Sequence, residues 1–164
     1  MDIVTIHALK KYFGRGPGQV KALDGVELSI EKGRFTAIVG ASGSGKTTLL
    51  NMIGGLYQPT EGSVTVDGMD LARLTEEELT VFRRRKVGFV FQDYNLAPEL
   101  TIRENILLPL LMDEARPDGI FFSEITGLLG LKEKLDAFPH MLSGGGQQCA
   151  AIARALITRP SIIL

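Results

Sequence analysis

A glycine-rich run, GASGSGKTT, occupies residues 40–48 and leaves few folds open to the chain. It matches the pattern G-x-x-x-x-G-K-[S/T], in which a strand leads into the loop and a helix leads out of it. Residues 35–39 form a short apolar run typical of a buried strand, and residues 46–56 carry apolar side chains at helical spacing. The sequence therefore predicts a strand, a loop and an amphipathic helix here.

The residue types in this run suit the binding of phosphate groups. Glycines let the backbone curl so that N–H groups point at phosphate oxygens, and the helix N-terminus adds a partial positive charge. The lysine supplies a cation for the β- and γ-phosphates, and the hydroxyl after it binds Mg²⁺. The alternative is a flexible connector before a helix. The predicted nucleotide contacts are Gly40, Ser42, Gly43, Ser44, Gly45, Lys46, Thr47 and Thr48, with Thr47 also on the metal.

Composition excludes several other classes of protein. The chain is 45% apolar and 23% charged with a net charge of −1, so it lacks the basic footprint of a nucleic-acid-binding protein, and we expect no nucleic-acid partner. A single cysteine excludes an intramolecular disulfide framework and a multi-cysteine metal site. The longest strongly apolar stretch, residues 106–112, is far shorter than the ~20 residues of a membrane span.

Charged residues mark one short helix. Thr75 and Glu78 form a capping-box pattern, and the acidic run 76–78 precedes a basic cluster at residues 83–86. Acid at the start and base at the end of a helix complement its dipole. The alternative is a basic edge that faces a partner or lipid headgroups.

The remaining pattern alternates strands with helices. We predict strands at residues 20–30, 62–68, 87–91 and from 161 onward, and a helix over residues 148–158 after a glycine interruption at 144–146. Prolines at 109, 117 and 139 are expected to break the helical stretch that covers residues 101–138. This order indicates an α/β fold with a parallel sheet, preceded by an antiparallel part.

A second glycine cluster, LSGGGQQ at residues 142–148, follows the first by about 100 residues, and Gln92 lies at the end of a strand between them. Together these features resemble the nucleotide-binding domain of ABC transporters. That family carries a Walker A loop, a Q-loop glutamine and an LSGGQ signature in this order. The resemblance implies a P-loop NTPase core with an N-terminal antiparallel β-subdomain and a helical lobe.

The resemblance also implies roles for residues outside the first loop. Tyr12 would stack on adenine, with an ordinary strand aromatic as the alternative, and Gln92 would sense Mg²⁺ and the attacking water. Ser143, Gly144 and Gly145 would contact the γ-phosphate of ATP bound to a second copy. The family thus implies ATP and Mg²⁺ as ligands and a head-to-tail dimer of nucleotide-binding subunits.

Residues 91–110 look like the lipoprotein-releasing, macrolide-export and antimicrobial-peptide-export branch of the family. In that branch this stretch faces a membrane permease subunit, which would place the protein in the cytoplasm on the inner face of the cell membrane. The leucines of the stretch fit the helical-lobe core equally well, and for each one singly the core is the favoured reading. They are Leu96, Leu100, Leu107 and Leu108.

Three departures from the family pattern stand out. Gly146 replaces the usual signature glutamine, for which Gln147 is an alternative, and Cys149 replaces an arginine. Residues 161–164 resemble the start of the Walker B strand, but the acidic pair that follows it in the family is not among these residues. We therefore expect a domain that is incomplete at the C-terminus and that binds nucleotide weakly without turnover on its own.

The expected division of the chain has four parts. Residues 1–35 form the antiparallel part, 35–92 the P-loop core, 93–141 the helical lobe, and 142–164 the signature, a helix and the start of the Walker B strand. Two other functions remain open. One is a degenerate nucleotide-binding or interaction module, and the other is a soluble ABC ATPase of repair or translation.

Overall fold

The computed structural model describes all 164 residues as six strands and five α-helices. The strands are β1 (Asp2–Phe13), β2 (Val20–Glu31), β3 (Glu61–Val66), β4 (Met69–Asp70), β5 (Val87–Gly88) and β6 (Ile162–Ile163). The helices are α1 (Lys46–Ile53), α2 (Glu76–Lys86), α3 (Ile102–Leu111), α4 (Gly119–Leu128) and α5 (Gly144–Leu156). The chain divides into two compact units, Met1–Arg83 and Arg84–Leu164, and each is described by itself.

The first unit is built on an antiparallel sheet of order β2-β1-β3-β4. In β1, Ile6 lies opposite Leu28 of β2 on one side and Val64 of β3 on the other. Side chains that alternate toward one face bury an apolar core, and Met52 and Ile53 of α1 are buried as well. The antiparallel part that the sequence predicts is therefore present, and β3 and β4, which lie beyond residue 35, belong to the same antiparallel sheet.

The start of α1 is fixed against β2 by one glycine. Gly45 adopts a left-handed conformation with φ of 89°, which disfavours residues with a Cβ atom. A Cβ at this position would also lie 2.4 Å from the carbonyl oxygen of Ala22 and 3.1 Å from Leu23 Cδ2. Only glycine allows the loop to approach the sheet this closely.

Residues 35–39 do not form the buried strand that the sequence predicts. They have no assigned secondary structure, and Phe35 and Val39 are 98% and 85% exposed. A strand needs a hydrogen-bonded neighbour, and none of the six strands pairs with this segment. The segment is apolar, but no strand of the chain pairs with it and its large side chains stay exposed.

The capping box that opens α2 is confirmed. The backbone N–H of Glu78 donates to Thr75 Oγ1 at 3.2 Å, and the N–H of Thr75 donates to Glu78 Oε2 at 2.8 Å. The helix ends at Lys86, where the sequence predicts its end. Local hydrogen bonding thus sets the start of this helix, while Leu79 and Phe82 bury its inner face.

The second unit contains a short parallel pair and a three-helix cluster. Val87 and Gly88 pair with Ile162 and Ile163, and the Val90 N–H extends the pairing by donating to the Leu164 carbonyl at 2.8 Å. The predicted strand at 87–91 is thus shorter than expected. The buried cluster draws on all three helices and the turns between them: Ile102, Ile106, Ile125, Leu131, Leu135, Leu142, Ala150, Ala153 and Ile157.

Two helix boundaries in this unit differ from expectation. Pro109 lies inside α3, which continues to Leu111, because the helix is anchored by buried Ile102 and Ile106 and only two residues follow the proline. α5 begins at Gly144, so the glycines form its first turn instead of interrupting the chain before residue 148. Ser143 caps this turn by accepting from the Gly146 N–H at 3.3 Å. The cap offsets the poor helix propensity of glycine.

The basic cluster at the end of α2 forms ion pairs within the chain. Arg84 Nη2 lies 2.7 Å from Asp113 Oδ1, and Arg85 Nε lies 2.7 Å from Asp113 Oδ2. The side chain of Asp113 is only 16% exposed. Asp113 thus joins the end of α2 to the turn after α3. Neither interpretation of the basic cluster, as a complement to the helix dipole or as an edge that faces a partner or lipid, includes this contact.

No helix of the structure is long and apolar enough to cross a membrane.

Replacing Gly45 by alanine should destabilise the fold more than the same change at Gly33. Gly33 also has positive φ, 78°, but a Cβ there meets nothing within 4 Å, so its cost is the backbone strain of about 1 kcal/mol. Gly45→Ala adds the overlap with Ala22, and the total should exceed about 2 kcal/mol. Urea unfolding of both variants measures the difference, and equal losses would contradict the close packing against β2.

Asp113→Asn should lower the unfolding midpoint at pH 7 because it removes the carboxylate shared by Arg84 and Arg85. Hydrogen bonding to Arg85 holds the pKa of Asp113 below its ordinary value. The stabilisation is therefore present above about pH 4 and lost as pH falls through the lowered pKa.

Asp136→Asn is the matched control, because Asp136 pairs with Arg103 at 3.3 Å but is 88% exposed. It should change the midpoint little at any pH. A loss for Asp113→Asn that is the same at pH 7 and pH 3 would show that the ion pairs do not cause it.

Candidate functional site

The glycine-rich loop of the first unit curls around the ammonium group of Lys46. Lys46 Nζ donates to the Gly40 carbonyl at 3.0 Å, to the Ala41 carbonyl at 2.7 Å and to Ser44 Oγ at 3.4 Å. A Cβ on Gly40 would lie 2.8 Å from Ser44 Oγ, so the Ser44 side chain packs closely against the first glycine of the loop. The loop therefore holds a cation at its centre and has no carboxylate to neutralise it.

Backbone N–H groups at the start of α1 have no acceptor. The first N–H that returns to the loop is that of Leu49, which donates to the Gly45 carbonyl at 2.8 Å, whereas those of residues 45–48 donate to no backbone oxygen. Such groups, with the helix dipole behind them, attract anions. The loop thus offers both N–H donors and an ammonium group to a phosphate.

The hydroxyl residues of the loop lie within the same short stretch. Ser42 and Thr47 are exposed, and Thr48 is half-buried in the first turn of α1. No group of three or more His, Cys, Asp or Glu side chains comes together to hold a metal. A magnesium ion prefers oxygen ligands, so the Thr47 hydroxyl fits it chemically, and the assignment stays a prediction.

Tyr12 lies near the end of β1, where its hydroxyl donates to Asp24 of β2 and the ammonium of Lys21 sits 5.3 Å from the ring centroid. The hydrogen bond to Asp24 raises the pKa of Tyr12 and lowers that of Asp24. These contacts fix the orientation of the ring in the sheet. Stacking of Tyr12 on adenine remains a prediction.

Gln92 in the second unit lies in a tight turn. The Tyr94 N–H donates to the Phe91 carbonyl at 3.1 Å and closes the turn, so that Gln92 occupies its second position with an exposed side chain. Beyond Asp93, the residues Tyr94 and Asn95 have left-handed φ angles of 60° and 47°. The turn presents Gln92 at the surface four residues after β5 ends.

The second glycine cluster exposes another helix start. Ser143, Gly144 and Gly145 are exposed, and the N–H groups of Gly144 and Gly145 donate to no backbone oxygen. A Cβ on Gly145 would meet nothing within 4 Å, and its φ is not positive. Neither packing nor backbone conformation of this chain requires glycine at 145, which leaves open space above an N–H-rich turn.

Two residues that no sequence motif marks, Arg154 and Asn105, organise this part of the site. Arg154 of α5 donates to the carbonyl oxygens of Tyr94 and Asn95. Asn105, fully buried in α3, holds residues 97–101 by accepting from the Ala97 N–H at 2.7 Å and donating to the carbonyl of Leu100. No local motif indicates these contacts. Arg154 reaches residues about sixty positions away in the sequence, and Asn105 bonds to the irregular loop that precedes its own helix.

The structure shows the contacts of Gln147, the alternative signature glutamine, and of Cys149, at which the signature departs from the family pattern. The Gln147 side-chain amide donates to the Leu142 carbonyl at 3.2 Å, which turns it back toward its own chain. It is therefore a poor substitute for the glutamine that Gly146 replaces. Cys149 is half-buried and packs against the helical cluster. Leu96 and Leu107 pack against the same cluster, which agrees with the core reading of these leucines.

The predicted residues other than Tyr12 therefore fall into two groups, one in each unit. The loop residues 40–48 lie together in the first unit. In the second unit the Gln92 turn reaches the signature, because a Cβ on Gly144 would lie 3.4 Å from the Tyr94 hydroxyl oxygen.

Comparison with known proteins gives consistent results. The chain is 47% identical to the ABC transporter ATP-binding protein YvcR of Bacillus subtilis over its full length. It is 41% identical to the bacitracin export ATP-binding protein BceA of Halalkalibacterium halodurans over 99% of the chain. In each case it spans 65% of the relative. It is also 42% identical to the lipoprotein-releasing system ATP-binding protein LolD of Bordetella pertussis, covering 95% of this chain and 68% of that protein.

The fold also matches solved structures. A dimeric, post-hydrolysis structure of the ATP-binding cassette MJ0796 bound to ADP and Pi superposes with a TM-score of 0.88 at 42% identity. The match covers 98% of this chain and 72% of that one. The α/β cassette fold that the motifs predict is thereby confirmed. The family profile described as ABC transporter matches residues 23–164, and the chain belongs to this family.

Proposed function

We propose that the protein is the ATP-binding subunit of an export-type ABC transporter. It binds Mg-ATP and, at full length and as a dimer, hydrolyses ATP to power export or lipoprotein release. The observation that carries the proposal is the loop at residues 40–48, where the Lys46 ammonium and the unpaired N–H groups of α1 face the same curl of backbone. That combination suits a polyphosphate.

A second copy of the chain is the proposed partner at the signature. The open space above Gly145, next to unpaired N–H groups, suits a phosphate group that approaches from outside the chain. The solved structure of MJ0796 is described as dimeric and bound to ADP and Pi. Ser143, Gly144 and Gly145 would then contact the γ-phosphate of ATP held by the other copy.

The remaining partner is an integral-membrane permease, which would hold the protein at the cytoplasmic face of the membrane. Support comes from the names of relatives, among them the macrolide export ATP-binding/permease protein MacB of Bdellovibrio bacteriovorus, 42% identical over 98% of this chain. The 164 residues on their own would bind nucleotide weakly without turnover. Thr47 and Gln92 would contact Mg²⁺, and the four-part division at residues 35, 92 and 141 belongs to the same proposal.

Lys46→Ala should weaken the binding of ATP by about ten- to a hundredfold, the value of one or more charge-assisted hydrogen bonds to phosphate. Isothermal titration calorimetry with ATP in the presence of Mg²⁺ measures the change in affinity. Lys32→Ala, at an exposed turn after β2, is the control and should bind as the original chain does. Equal affinity in the Lys46 variant would refute the proposed nucleotide site.

Gly145→Ala should leave the free energy of unfolding unchanged or raise it by up to about 1 kcal/mol, because alanine has the higher helix propensity and the added Cβ meets nothing. It should nevertheless reduce ATP-dependent dimer formation, because the methyl group occupies the proposed path of the partner's phosphate. Sedimentation velocity with and without Mg-ATP measures the dimer.

Gly119→Ala is the matched control for this change. Gly119 is the first residue of α4, and a Cβ there also meets nothing within 4 Å. It should show the same small gain in stability without any loss of dimer. An unaltered ATP-dependent dimer in Gly145→Ala would argue against the signature as the contact with a second copy.

A further inference from the structure

The turn that carries Gln92 continues into a strained segment. Tyr94 and Asn95 are consecutive non-glycine residues with left-handed φ angles. Such residues rarely adopt this conformation, and two in succession persist only where surrounding contacts hold them. Within the turn, the Tyr94 N–H donates to the Phe91 carbonyl and the Asn95 N–H donates to the Asp93 carbonyl at 2.6 Å. The carbonyl groups of Tyr94 and Asn95 receive their contacts from another element.

Arg154 supplies them. Its Nη2 donates to the Tyr94 carbonyl at 2.6 Å, and its Nη1 donates to the neighbouring Asn95 carbonyl. The planar guanidinium fork thus holds two successive carbonyl groups at once. Burial, which lowers the pKa of Arg154, indicates that the group is removed from water at this contact.

The same helix carries the signature at its other end. Arg154 lies ten residues after Gly144, about 15 Å along α5, and side chains of a helix lean toward its N-terminus. Tyr94 spans the interval, because its carbonyl meets Arg154 while its hydroxyl lies 3.4 Å from the place where a Cβ of Gly144 would sit. Tyr94 is therefore hydrogen-bonded to Arg154 of α5 through its carbonyl, and its hydroxyl lies beside the first turn of the same helix.

α5 itself is well suited to act as a rigid support. Ala150, Ala151 and Ala153 are fully buried along it, and a Cβ on Gly88 of β5 would come 2.6 Å from the Ala155 carbonyl. Close packing of this kind leaves little room for the helix to move independently of its neighbours.

From these contacts we infer that Arg154 is a positioning residue, which ties the Gln92 turn to the signature helix so that both move as one body. The inference rests on the proposed function, in which Gln92 senses Mg²⁺ and the signature meets the partner's ATP. It assigns Arg154 no contact with nucleotide. Its effect reaches the nucleotide only through the conformation of residues 92–95.

The first test measures the turn without nucleotide. In Arg154→Met, amide hydrogen exchange at Tyr94 and Asn95 should accelerate at least about tenfold, since a charged hydrogen bond to each carbonyl is lost. The Ala97 amide is the internal reference, because Asn105 Oδ1 holds it at 2.7 Å in either case. Its exchange should not change.

Arg159→Met is the matched control. Arg159 lies just beyond α5, where it pairs with Asp118 at 2.9 Å and stacks 4.2 Å from the centroid of the Phe121 ring. Its removal likewise costs an arginine, and an ion pair in addition, but touches nothing in the turn. Exchange at Tyr94 and Asn95 should stay as in the original chain, while Arg154→Lys should recover part of the protection that Arg154→Met loses.

The second test separates positioning from general stability. The gain in ATP affinity on adding Mg²⁺ is measured for Gln92→Ala, for Arg154→Met and for the double variant. Both single changes should reduce this gain, and the double variant should lose no more than Gln92→Ala alone, because both act through one group. Arg159→Met should leave the gain intact.

The outcomes distinguish the inference from the function on which it rests. Unchanged exchange at Tyr94 and Asn95 in Arg154→Met, or additive losses in the double variant, would overturn the positioning role. Failure of the original chain to bind ATP would overturn the proposed function instead. Faster exchange in the turn would still establish that Arg154 holds it.

Discussion

A helix leaves its first N–H groups without intrahelical acceptors, and both candidate sites of this protein are built on that constraint. Gly45 turns the chain into α1 and leaves the N–H groups of residues 45–48 unpaired around Lys46. Ser143 caps α5 but satisfies only the N–H of Gly146, so those of Gly144 and Gly145 remain available. Sheet packing and the helical cluster serve to hold these two helix starts in place.

Elements that local chemistry determines were predictable from sequence, whereas elements that depend on distant neighbours were not. The capping box of Thr75 and Glu78 involves residues only three positions apart, and the sequence predicted both this cap and the end of the helix. Residues 35–39 look like a buried strand, yet a strand exists only where another strand pairs with it. Pro109 was expected to end a helix that buried isoleucines carry past it. In each error, tertiary contacts or their absence outweighed local preference.

The candidate site divides in the same way. The loop at residues 40–48 is contiguous, so its pattern names nearly all the groups that meet at Lys46. The support of the Gln92 turn comes instead from Arg154, about sixty residues away, and from contacts of Tyr94 that have no sequence signature. Asn105 illustrates a further limit, because a buried amide satisfied by loop carbonyls looks like any other asparagine in a helix.

Gly45 and Gly145 are both glycines at helix starts, but they have different genetic consequences. A substitution at Gly45 meets the Ala22 carbonyl, so it lowers the folded fraction of the altered chain and reduces only the supply of that copy. A substitution at Gly145 meets nothing and leaves a folded chain with an intact Lys46 loop. If two copies pair as proposed, such a chain competes for normal partners and forms defective pairs with them. Mutations of the first glycine would then be recessive, and those of the second would be dominant.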